Sequence, residues 1–409
     1  MADKGAGIDL PPFPGRFRLT GEFGLLAACS WIAPPAMERL QAEKITSLCA
    51  GNTIDWEKFI RLVRLHGVQA QAYENLRKHA CINVPEEILG KLKQFRIAVS
   101  GHSLHQAAEL LGLINRFAGQ GIDVLPLKGI VLSLQLYGDP GMRTSSDIDI
   151  LVKEEDFERA WQMLESEGYL CGLSIRGFTA RQKNYIRKHN YHLQFDSVEK
   201  KQHLELHWNF GALWLPEHTG LMWKHIEKMK WMGGGINVLD NDALLLFLCD
   251  HGVRHHFVSL KWLADFAVLF CRMKMENREK LLEMAEFFDL KKSLTYSVLL
   301  AHWIYNIEVP DEFRELMYQD GTAVVMSEKA MELLKMSAEQ SASHNKRRGG
   351  LLFTWREMRI RPSIPLKKVL STRMIGIDDF EQMHLPDSLF WLYYPLRPFL
   401  WLQRYYLGK

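Results

Sequence analysis

Two short stretches of sequence decide the fold of this chain: LKG at residues 127–129 and RTSSDIDILV at residues 143–152. The first ends an apolar segment with a lysine and a glycine, which is typical of a strand that turns into a helix. The second begins with polar residues and continues as a run rich in isoleucine and valine, which indicates a buried strand. Together they predict the order strand, glycine turn, helix, loop, strand.

Asp147 and Asp149 lie two residues apart on the second of these strands. Since side chains alternate between the faces of a strand, both carboxylates share one face, and Ile148 and Ile150 share the other. Two like charges held this close repel each other unless a cation lies between them. Mg²⁺ suits such ligands, because it usually binds one or two carboxylates together with substrate phosphates. The pattern therefore points to phosphoryl or nucleotidyl transfer.

The composition is that of a soluble globular protein. The 409 residues are 47% hydrophobic and 24% charged, which leaves room for two or three domains with ample core. The formal net charge of +3 is too small to favour a nucleic-acid partner. We expect neither a secretory signal nor a transmembrane helix, because no apolar segment of the required length is present. Six cysteines without a CxxC pair fit a reducing compartment, so a cytoplasmic location is expected.

The sequence predicts an α+β protein with four regions. Residues 1–118 are a helical region, in which Asp55 caps a helix. Residues 119–239 form a core of strands and helices, residues 240–340 a helical domain, and residues 341–409 a basic and aromatic segment packed on the body. One helix within residues 94–118 is expected to bury a stripe made of Leu104, Ala107, Ala108, Leu111 and Ile114.

Five elements are predicted within the core region, and a triple glycine at residues 233–235 is expected to form the turn that ends it. They are a strand over residues 121–127, a helix over 129–137, a strand over 148–152, a helix over 154–168 and a hairpin over 190–208.

The hairpin carries its own polar face. Glu205 and His207 alternate with apolar residues on its second strand, and His192 does so on its first. If the hairpin extends the sheet that carries Asp147 and Asp149, one polar surface gathers all five side chains. For both histidines two roles are open: a direct part in the reaction, or a hydrogen-bonded position on a sheet face.

These residue types suit in-line transfer of a nucleotidyl group, which needs metal ions, a triphosphate pocket and a means of deprotonating the acceptor. Asp147 and Asp149 are the predicted metal ligands, and Glu205 is the third carboxylate, as a metal ligand or general base. A glycine at a helix start lets the backbone approach a phosphate. The predicted triphosphate site therefore consists of Lys128, Gly129, Arg143, Ser145 and Ser146.

Further substrate contacts are predicted in the helical domain. His251, Arg254 and His255 are expected to face the active cleft, and Lys261 and Asp265 are candidates of the same kind, with a structural salt bridge as the alternative. A zinc site at His251 and His255 is weighed as well, although the sequence offers no third ligand at suitable spacing.

These motifs resemble those of the uncharacterised nucleotidyltransferase family of the polymerase-β-like superfamily. The resemblance rests on Lys128-Gly129, on residues 136–149 and on Glu205-Leu206-His207-Trp208. It extends to a helical motif at residues 261–265 and to the aromatic tail at residues 392–398, and so covers most of the chain from about residue 21. Where the wider superfamily has Gly-Ser or Gly-Gly after the first strand, this chain has Lys128-Gly129.

The resemblance implies a polymerase-β-like nucleotidyltransferase core of mixed sheet and helices, flanked by N- and C-terminal helical regions. It also implies two Mg²⁺ ions and a nucleoside triphosphate (NTP), for which ATP is the default expectation. Some relatives are associated with lasso-peptide or polysaccharide biosynthesis, so the expected acceptor is a small molecule or a peptide.

The leading hypothesis is therefore a Mg²⁺-dependent enzyme that moves a nucleoside monophosphate (NMP) from an NTP to such an acceptor and releases pyrophosphate. Two alternatives stand beside it. One is a non-catalytic, regulatory nucleotide-binding module. The other is a transferase that modifies a partner peptide or protein recognised by the helical regions. A polynucleotide acceptor is not expected.

Overall fold

The structure is a computed structural model that describes residues 9–51, 53–80, 82–171, 174–274, 277–335 and 359–404. Most of these residues are helical, and the strands form a mixed five-stranded sheet and a separate two-stranded sheet. The predicted α+β class is therefore confirmed. Of the basic and aromatic segment predicted over residues 341–409, residues 341–358 and 405–409 lie outside the described ranges.

The α-helices are numbered in chain order over the described residues. They are α1 (Gly21–Cys29), α2 (Pro35–Ala50), α3 (Trp56–His66), α4 (Gln69–His79), α5 (Glu86–Gly119), α6 (Gly129–Tyr137), α7 (Phe157–Ser166), α8 (Ala180–His189), α9 (Pro216–Met222), α10 (Asn241–Arg254), α11 (Leu260–Phe270), α12 (Arg278–Phe287), α13 (Lys291–Tyr305), α14 (Asp311–Gln319), α15 (Thr322–Lys335), α16 (Leu366–Met374), α17 (Ile377–Gln382) and α18 (Tyr393–Leu402). None of the described helices is long and apolar enough to cross a membrane.

The strands are β1 (Leu125–Pro126), β2 (Ile148–Leu151), β3 (Leu170–Cys171), β4 (His192–Ser197), β5 (Gln202–His207), β6 (Ile226–Trp231) and β7 (Gly234–Leu239). The larger sheet has the order β1-β2-β5-β4-β3, and β6 and β7 form the smaller one. Strands β2 and β5 are parallel, whereas the other neighbours are antiparallel. The hairpin β4–β5 thus joins the sheet beside β2, which meets the condition that the sequence analysis set for one shared polar surface.

The chain divides into two compact units, each built from separate stretches. The first unit holds the residues up to Ala107, Gly129–Ser145 and Asp240–Arg361. The second holds Ala108–Lys128, Ser146–Leu239 and the residues from Pro362 onward. The predicted domain limits after residues 118, 239 and 340 stay predictions.

The first unit is helical, and its core lies where α13 packs against α10, α11 and α15. Trp31 stacks on Tyr305 there, with ring centroids 4.8 Å apart. Asp55 caps α3 as predicted, because its carboxylate accepts a 2.9 Å hydrogen bond from the Lys58 N–H. Gly67 ends the same helix in the left-handed region, at φ +68°, where a side chain would be strained.

The second unit carries the five-stranded sheet, and two predictions about its first strands need correction. The strand predicted over residues 121–127 has only two residues, because pairing with β2 is limited to Leu125 and Pro126. Strand β2 begins at Ile148, so Asp147 lies just before the strand rather than on it. All four residues of β2 are buried, which is the pattern of a strand covered on both faces. The Asp149 carboxylate is therefore buried within the sheet rather than exposed to solvent.

Helix α5 exists as predicted, but its predicted stripe is wrong. Leu104 is 57% exposed, and Ala108 is exposed too. Of the predicted residues only Ala107 is fully buried, and the apolar residues buried with it are Leu110, Leu113 and Phe117. Both sets have helical spacing, so only the tertiary contacts could choose between them.

Only the first residue of the triple glycine lies in a turn, and this turn belongs to a hairpin that the sequence did not predict. Met232 and Gly233 take positive φ angles of 47° and 82°, which suits a tight two-residue turn between β6 and β7. The other two glycines lie inside β7. Helices α6 and α7 and the β4–β5 hairpin are confirmed. In the aromatic tail, Phe390 and Tyr393 are buried.

Candidate functional site

The candidate site is built on three neighbouring strands of the second unit. The parallel register of β2 and β5 puts Asp149 beside Glu205, and the antiparallel register of β4 and β5 puts His192 beside His207. Alternation along β5 then brings Glu205 and His207 to one face. Four of the predicted site residues therefore come together through strand pairing alone.

Asp149 is the centre of this group, and its side chain is 1% exposed. The Lys128 ammonium lies 2.8 Å from its Oδ1, and His207 Nε2 lies 3.2 Å from the same oxygen. Lys128 is placed there because it directly follows Leu127, whose N–H donates to the Asp149 carbonyl at 3.1 Å. A buried carboxylate is tolerated when it is paired in this way.

Glu205 occupies the next position on this face. Its Oε2 lies 3.2 Å from His207 Nε2, and its Oε1 accepts a 3.4 Å hydrogen bond from Gln194 Nε2. His192 Nε2 is 3.7 Å from the same Oε1, and the His192 and His207 rings stack with centroids 5.0 Å apart. Gln194 was not among the predicted site residues, although its alternation with Leu193 puts it on the same face as His192.

The opposite charges in this group stabilise one another. Burial by itself raises the pKa of the Asp149 carboxyl, but Lys128 and His207 outweigh burial and hold that pKa far below its usual range. Burial raises the pKa of Glu205 as well, but its hydrogen bond to His207, together with the charges of His207 and His192, lowers that pKa overall. Burial lowers the pKa of His207, yet its bonds to both carboxylates raise it overall. Both acids are therefore ionised at neutral pH.

The pKa values of two further groups in the site shift in opposite directions. Burial, followed by the neighbouring His207 charge, lowers the pKa of His192 to about 3, so this ring is neutral at physiological pH. Burial lowers the pKa of Lys128, but the nearby carboxylates of Asp149, Asp147 and Glu205 raise it overall. The influence of Asp147 on Lys128 places that carboxylate within electrostatic reach of the cluster.

The group can hold a divalent cation. Asp149, Glu205 and His207 each offer one ligand atom, and these atoms lie within 4.8 Å of one another. Asp149 Oδ2 is buried and has no hydrogen-bonding partner among the described residues. An unsatisfied buried oxygen beside a second carboxylate and an imidazole is a donor set that fits a metal ion. Within the described ranges, no other group of three or more ligating side chains is this close.

Asp147, Ser146 and Gly129 are predicted site residues that flank the cluster in sequence. Asp147 is half-buried, and Ser146 Oγ donates a 3.3 Å hydrogen bond to its Oδ1. Gly129 opens α6 with φ +64°, a conformation that only glycine adopts without strain. The backbone turn predicted from Lys128-Gly129 is therefore present.

Arg143, predicted to bind triphosphate, belongs to the first unit and is 4% exposed. Its Nε donates to Asp265 Oδ2 at 2.7 Å, and the Tyr137 hydroxyl donates to Asp265 Oδ1 at 3.2 Å. The salt bridge weighed for Asp265 is thus present, and its partner is Arg143. Ser145 is half-buried in the same unit, while Lys261 donates to the Thr144 carbonyl at 3.1 Å.

The two histidines of the helical domain that were predicted to contact substrate, His251 and His255, lie in the first unit. The His251 and His255 rings are 4.8 Å apart, and both lie against Trp262. Arg254 Nε donates to Asp250 Oδ2 at 3.0 Å. In the part of the chain that the structure describes, no third ligand joins these two histidines, so nothing supports the zinc alternative.

Comparison with protein families identifies the chain. The uncharacterised nucleotidyltransferase family matches residues 52–306, which is more than half of the sequence. The chain belongs to this family. The resemblance to this family is confirmed over residues 52–306, and the family supports a general role in nucleotidyl transfer. The comparisons with curated proteins and with solved structures give no match.

Proposed function

We propose that this member of the family is a Mg²⁺-dependent nucleotidyltransferase with a polymerase-β-like core. It moves an NMP from an NTP to a small-molecule or peptide acceptor and releases pyrophosphate. The observation that carries the proposal is the pairing of Asp149 with Glu205 across β2 and β5, with a buried Asp149 oxygen that has no partner among the described residues. A site that only bound a neutral ligand would not need two adjacent ionised carboxylates.

Asp149, Glu205 and Asp147 would hold Mg²⁺, with two ions expected. When bound, the metal supplies positive charge to the attacked phosphate and to the leaving pyrophosphate. The Lys128 ammonium, now 2.8 Å from Asp149, would turn to a phosphate oxygen once a cation shares that carboxylate. Gly129 and Ser146 would bring a backbone N–H and a hydroxyl to the triphosphate. Arg143 and Ser145 stay predictions.

The chemical step follows from the ionised state of Glu205. The acceptor oxygen or nitrogen attacks the α-phosphorus, and the bond from that phosphorus to the bridging oxygen breaks as pyrophosphate leaves. Where Glu205 serves as the general base instead of as a metal ligand, the acceptor proton passes to its carboxylate, whose lowered pKa keeps it ionised at neutral pH. His207 and Gln194, which contact the two Glu205 oxygens, would hold this carboxylate in place.

The test is calorimetric binding of ATP, GTP, CTP and UTP with and without Mg²⁺, on the wild type, Asp147→Asn and Asp149→Asn. We expect one nucleotide to bind in a Mg²⁺-dependent way and both variants to lose at least roughly tenfold in affinity. Asp196→Asn is the matched control, because Asp196 is a 57% exposed carboxylate of β4 that is bound to His203. Circular dichroism checks that each variant is folded.

Two results would count against the proposal. Unchanged nucleotide affinity in both site variants would remove the carboxylates from the site. Binding that is independent of Mg²⁺, with no pyrophosphate released on addition of any candidate acceptor, would favour the non-catalytic nucleotide-binding module instead.

A further inference from the structure

A cleft of about 540 Å³ lies within the first unit, where the N-terminal segment, α2 and the end of α13 meet. This volume falls within the roughly 300–1,000 Å³ that is usual for a small-molecule site. The lining is mostly apolar, and it consists of residues 10–13, Leu19, Leu40, Trp303 and Ile304 together with three polar residues, Lys44, His302 and Asn306. We call this space the Lys44 cleft.

The N-terminal segment forms one apolar wall of the Lys44 cleft, and contacts with α13 hold it in place. The Trp303 indole N–H donates a 3.0 Å hydrogen bond to the Pro11 carbonyl. The Phe13 ring packs edge-on against the Trp303 ring, with centroids 6.1 Å apart. Because proline has a fixed φ, Pro11 and Pro12 have little backbone freedom left to lose when a ligand binds. The wall is therefore largely preorganised.

Lys44 is the one fixed positive charge among the described residues of this lining, and none of those residues is a carboxylate. Its ammonium forms no ion pair or hydrogen bond within the described ranges. Glu43, its neighbour on α2, is bonded instead to Arg39 at 2.9 Å. Lys44 is half-buried, and burial alone lowers its pKa. An ammonium that has lost water without gaining an anionic partner favours a bound anion.

The other two polar residues of the lining add no fixed charge. Asn306 is exposed at the end of α13, and its side-chain amide is an uncharged donor. His302 Nδ1 lies 2.8 Å from the Ile307 carbonyl oxygen, and it carries a proton there because a carbonyl only accepts. One fixed positive charge matches one carboxylate, whereas a phosphate dianion would bring a second negative charge that this lining does not compensate.

We propose that the Lys44 cleft binds a small carboxylic acid with an apolar body. The carboxylate pairs with the Lys44 ammonium, and the apolar body lies against Leu40 and the wall that contains Phe13. A peptide fits less well, because its backbone amides would meet a lining with few hydrogen-bonding groups. The site goes beyond the proposed function, since it uses none of the residues proposed to bind metal or NTP.

The first probe is octanoate, measured by calorimetry in EDTA against acetate and octanol. We expect octanoate to bind at least roughly tenfold more tightly than either, because acetate lacks the apolar body and octanol lacks the charge. Octyl phosphate and the dipeptide N-acetyl-leucyl-leucine should both bind more weakly than octanoate. Tighter binding of either would overturn the assignment to a small carboxylic acid.

Lys44→Met tests the charge while keeping a long apolar side chain. It should weaken octanoate by at least roughly tenfold and leave octanol unchanged, whereas Lys44→Arg should retain octanoate. The matched control is Lys93→Met, which removes an exposed lysine from α5 of the same unit and should leave octanoate unchanged. Circular dichroism checks that each variant is folded. Equal affinity of Lys44→Met and Lys93→Met for octanoate would overturn the proposal.

A second pair of variants tests the site without changing Lys44. Leu40 is 48% exposed and lies one turn before Lys44 on α2, so a glutamate there can pair with the lysine across i,i+4. Leu40→Glu should therefore weaken octanoate at least severalfold more than Leu40→Gln, which makes a similar change in shape without a charge. Equal losses in the two variants would contradict a role for the Lys44 charge.

The proposal is separated from the NTP site by two further measurements. Asp147→Asn should leave octanoate binding unchanged, and saturating octanoate should not displace an NTP bound with Mg²⁺. Octanoate binding that survives a failure to find any NTP site would sustain this inference alone. Displacement of octanoate by NTP, or no binding of octanoate at all, would overturn it while leaving the nucleotidyltransferase proposal to its own test.

Discussion

The two units of this molecule each bury a charged cluster, and the two clusters differ in one respect. In the first unit, Arg143 and Tyr137 satisfy both oxygens of Asp265. In the second unit, Lys128 and His207 share a single oxygen of Asp149, and the other oxygen has no partner among the described residues. We call these groups the Asp265 cluster and the Asp149 cluster.

This difference shows which kind of buried charged group indicates a binding site. Both aspartates are almost fully buried, so burial does not distinguish them. The Asp265 cluster has its hydrogen-bonding capacity filled from within the chain, as expected of a structural ion pair. The Asp149 cluster leaves one carboxylate oxygen and the Nδ1 atoms of His192 and His207 buried without partners in the described part of the chain. A buried charged group that has atoms without hydrogen-bonding partners can bind a ligand through those atoms.

The largest expected effect tests the structural half of this comparison. Asp265→Asn should lower the free energy of unfolding by about 3–5 kcal/mol, because it leaves the Arg143 guanidinium buried without its counter-ion. Urea denaturation of the wild type and the variant measures the loss. The double variant Arg143→Met/Asp265→Asn should lose less than Asp265→Asn alone. A loss below about 1 kcal/mol would mean that the pair is not structural.

The next effect tests the ligand-binding half. Mg²⁺ at a hundred times its dissociation constant should raise the free energy of unfolding of the wild type by about 2.7 kcal/mol. Asp149→Asn should abolish this gain, whereas Asp196→Asn should keep it, and EDTA should reverse it. Equal stabilisation of all three proteins would place the ion elsewhere.

The Lys128→Met variant tests the effect of the lysine on metal binding separately from that of the carboxylates. Removing a positive charge 2.8 Å from Asp149 Oδ1 should tighten Mg²⁺ binding without nucleotide by roughly tenfold, about 1.4 kcal/mol. Lys153→Met is the control, since Lys153 pairs with the exposed Asp123 at 3.1 Å. Metal titration followed by calorimetry decides the matter, and weaker Mg²⁺ binding in Lys128→Met would show that the lysine supports the ion rather than competing with it.

The smallest effect concerns pH. The pKa of His192 is lowered to about 3 in the folded chain, so below the usual histidine pKa the unfolded chain binds a proton that the folded chain does not. Acidification from about pH 6 to about pH 5 should therefore destabilise the fold by at most about 1.4 kcal/mol through this residue. His192→Gln should have a shallower slope of stability against pH in EDTA. An unchanged slope would mean that the ring is accessible to protons.

Local patterns carried much of the fold. The alternation of Leu204, Glu205, Leu206 and His207 predicted a half-polar strand, and the glycine at 129 predicted the turn into α6; both are present. Sequence patterns that fit two different structures gave incorrect predictions. Helix α5 offers two apolar stripes at helical spacing that share Ala107, and the rest of the predicted stripe is not the buried one. The β6–β7 hairpin was missed because its glycines at 234 and 235 lie inside a strand, where glycine is uncommon.

By itself, the sequence determined which chemistry is present: two aspartates around a buried strand, a glutamate and two histidines on a polar strand face, and a lysine before a glycine turn. Side-chain alternation is a local property, so each strand could be assigned its faces without the rest of the chain. Only the tertiary structure decided that Asp149 lies beside Glu205, that Lys128 reaches Asp149, and that Arg143 turns to Asp265. Register and ion pairing join residues that are far apart in sequence, and several pairings of similar energy exist until packing selects one.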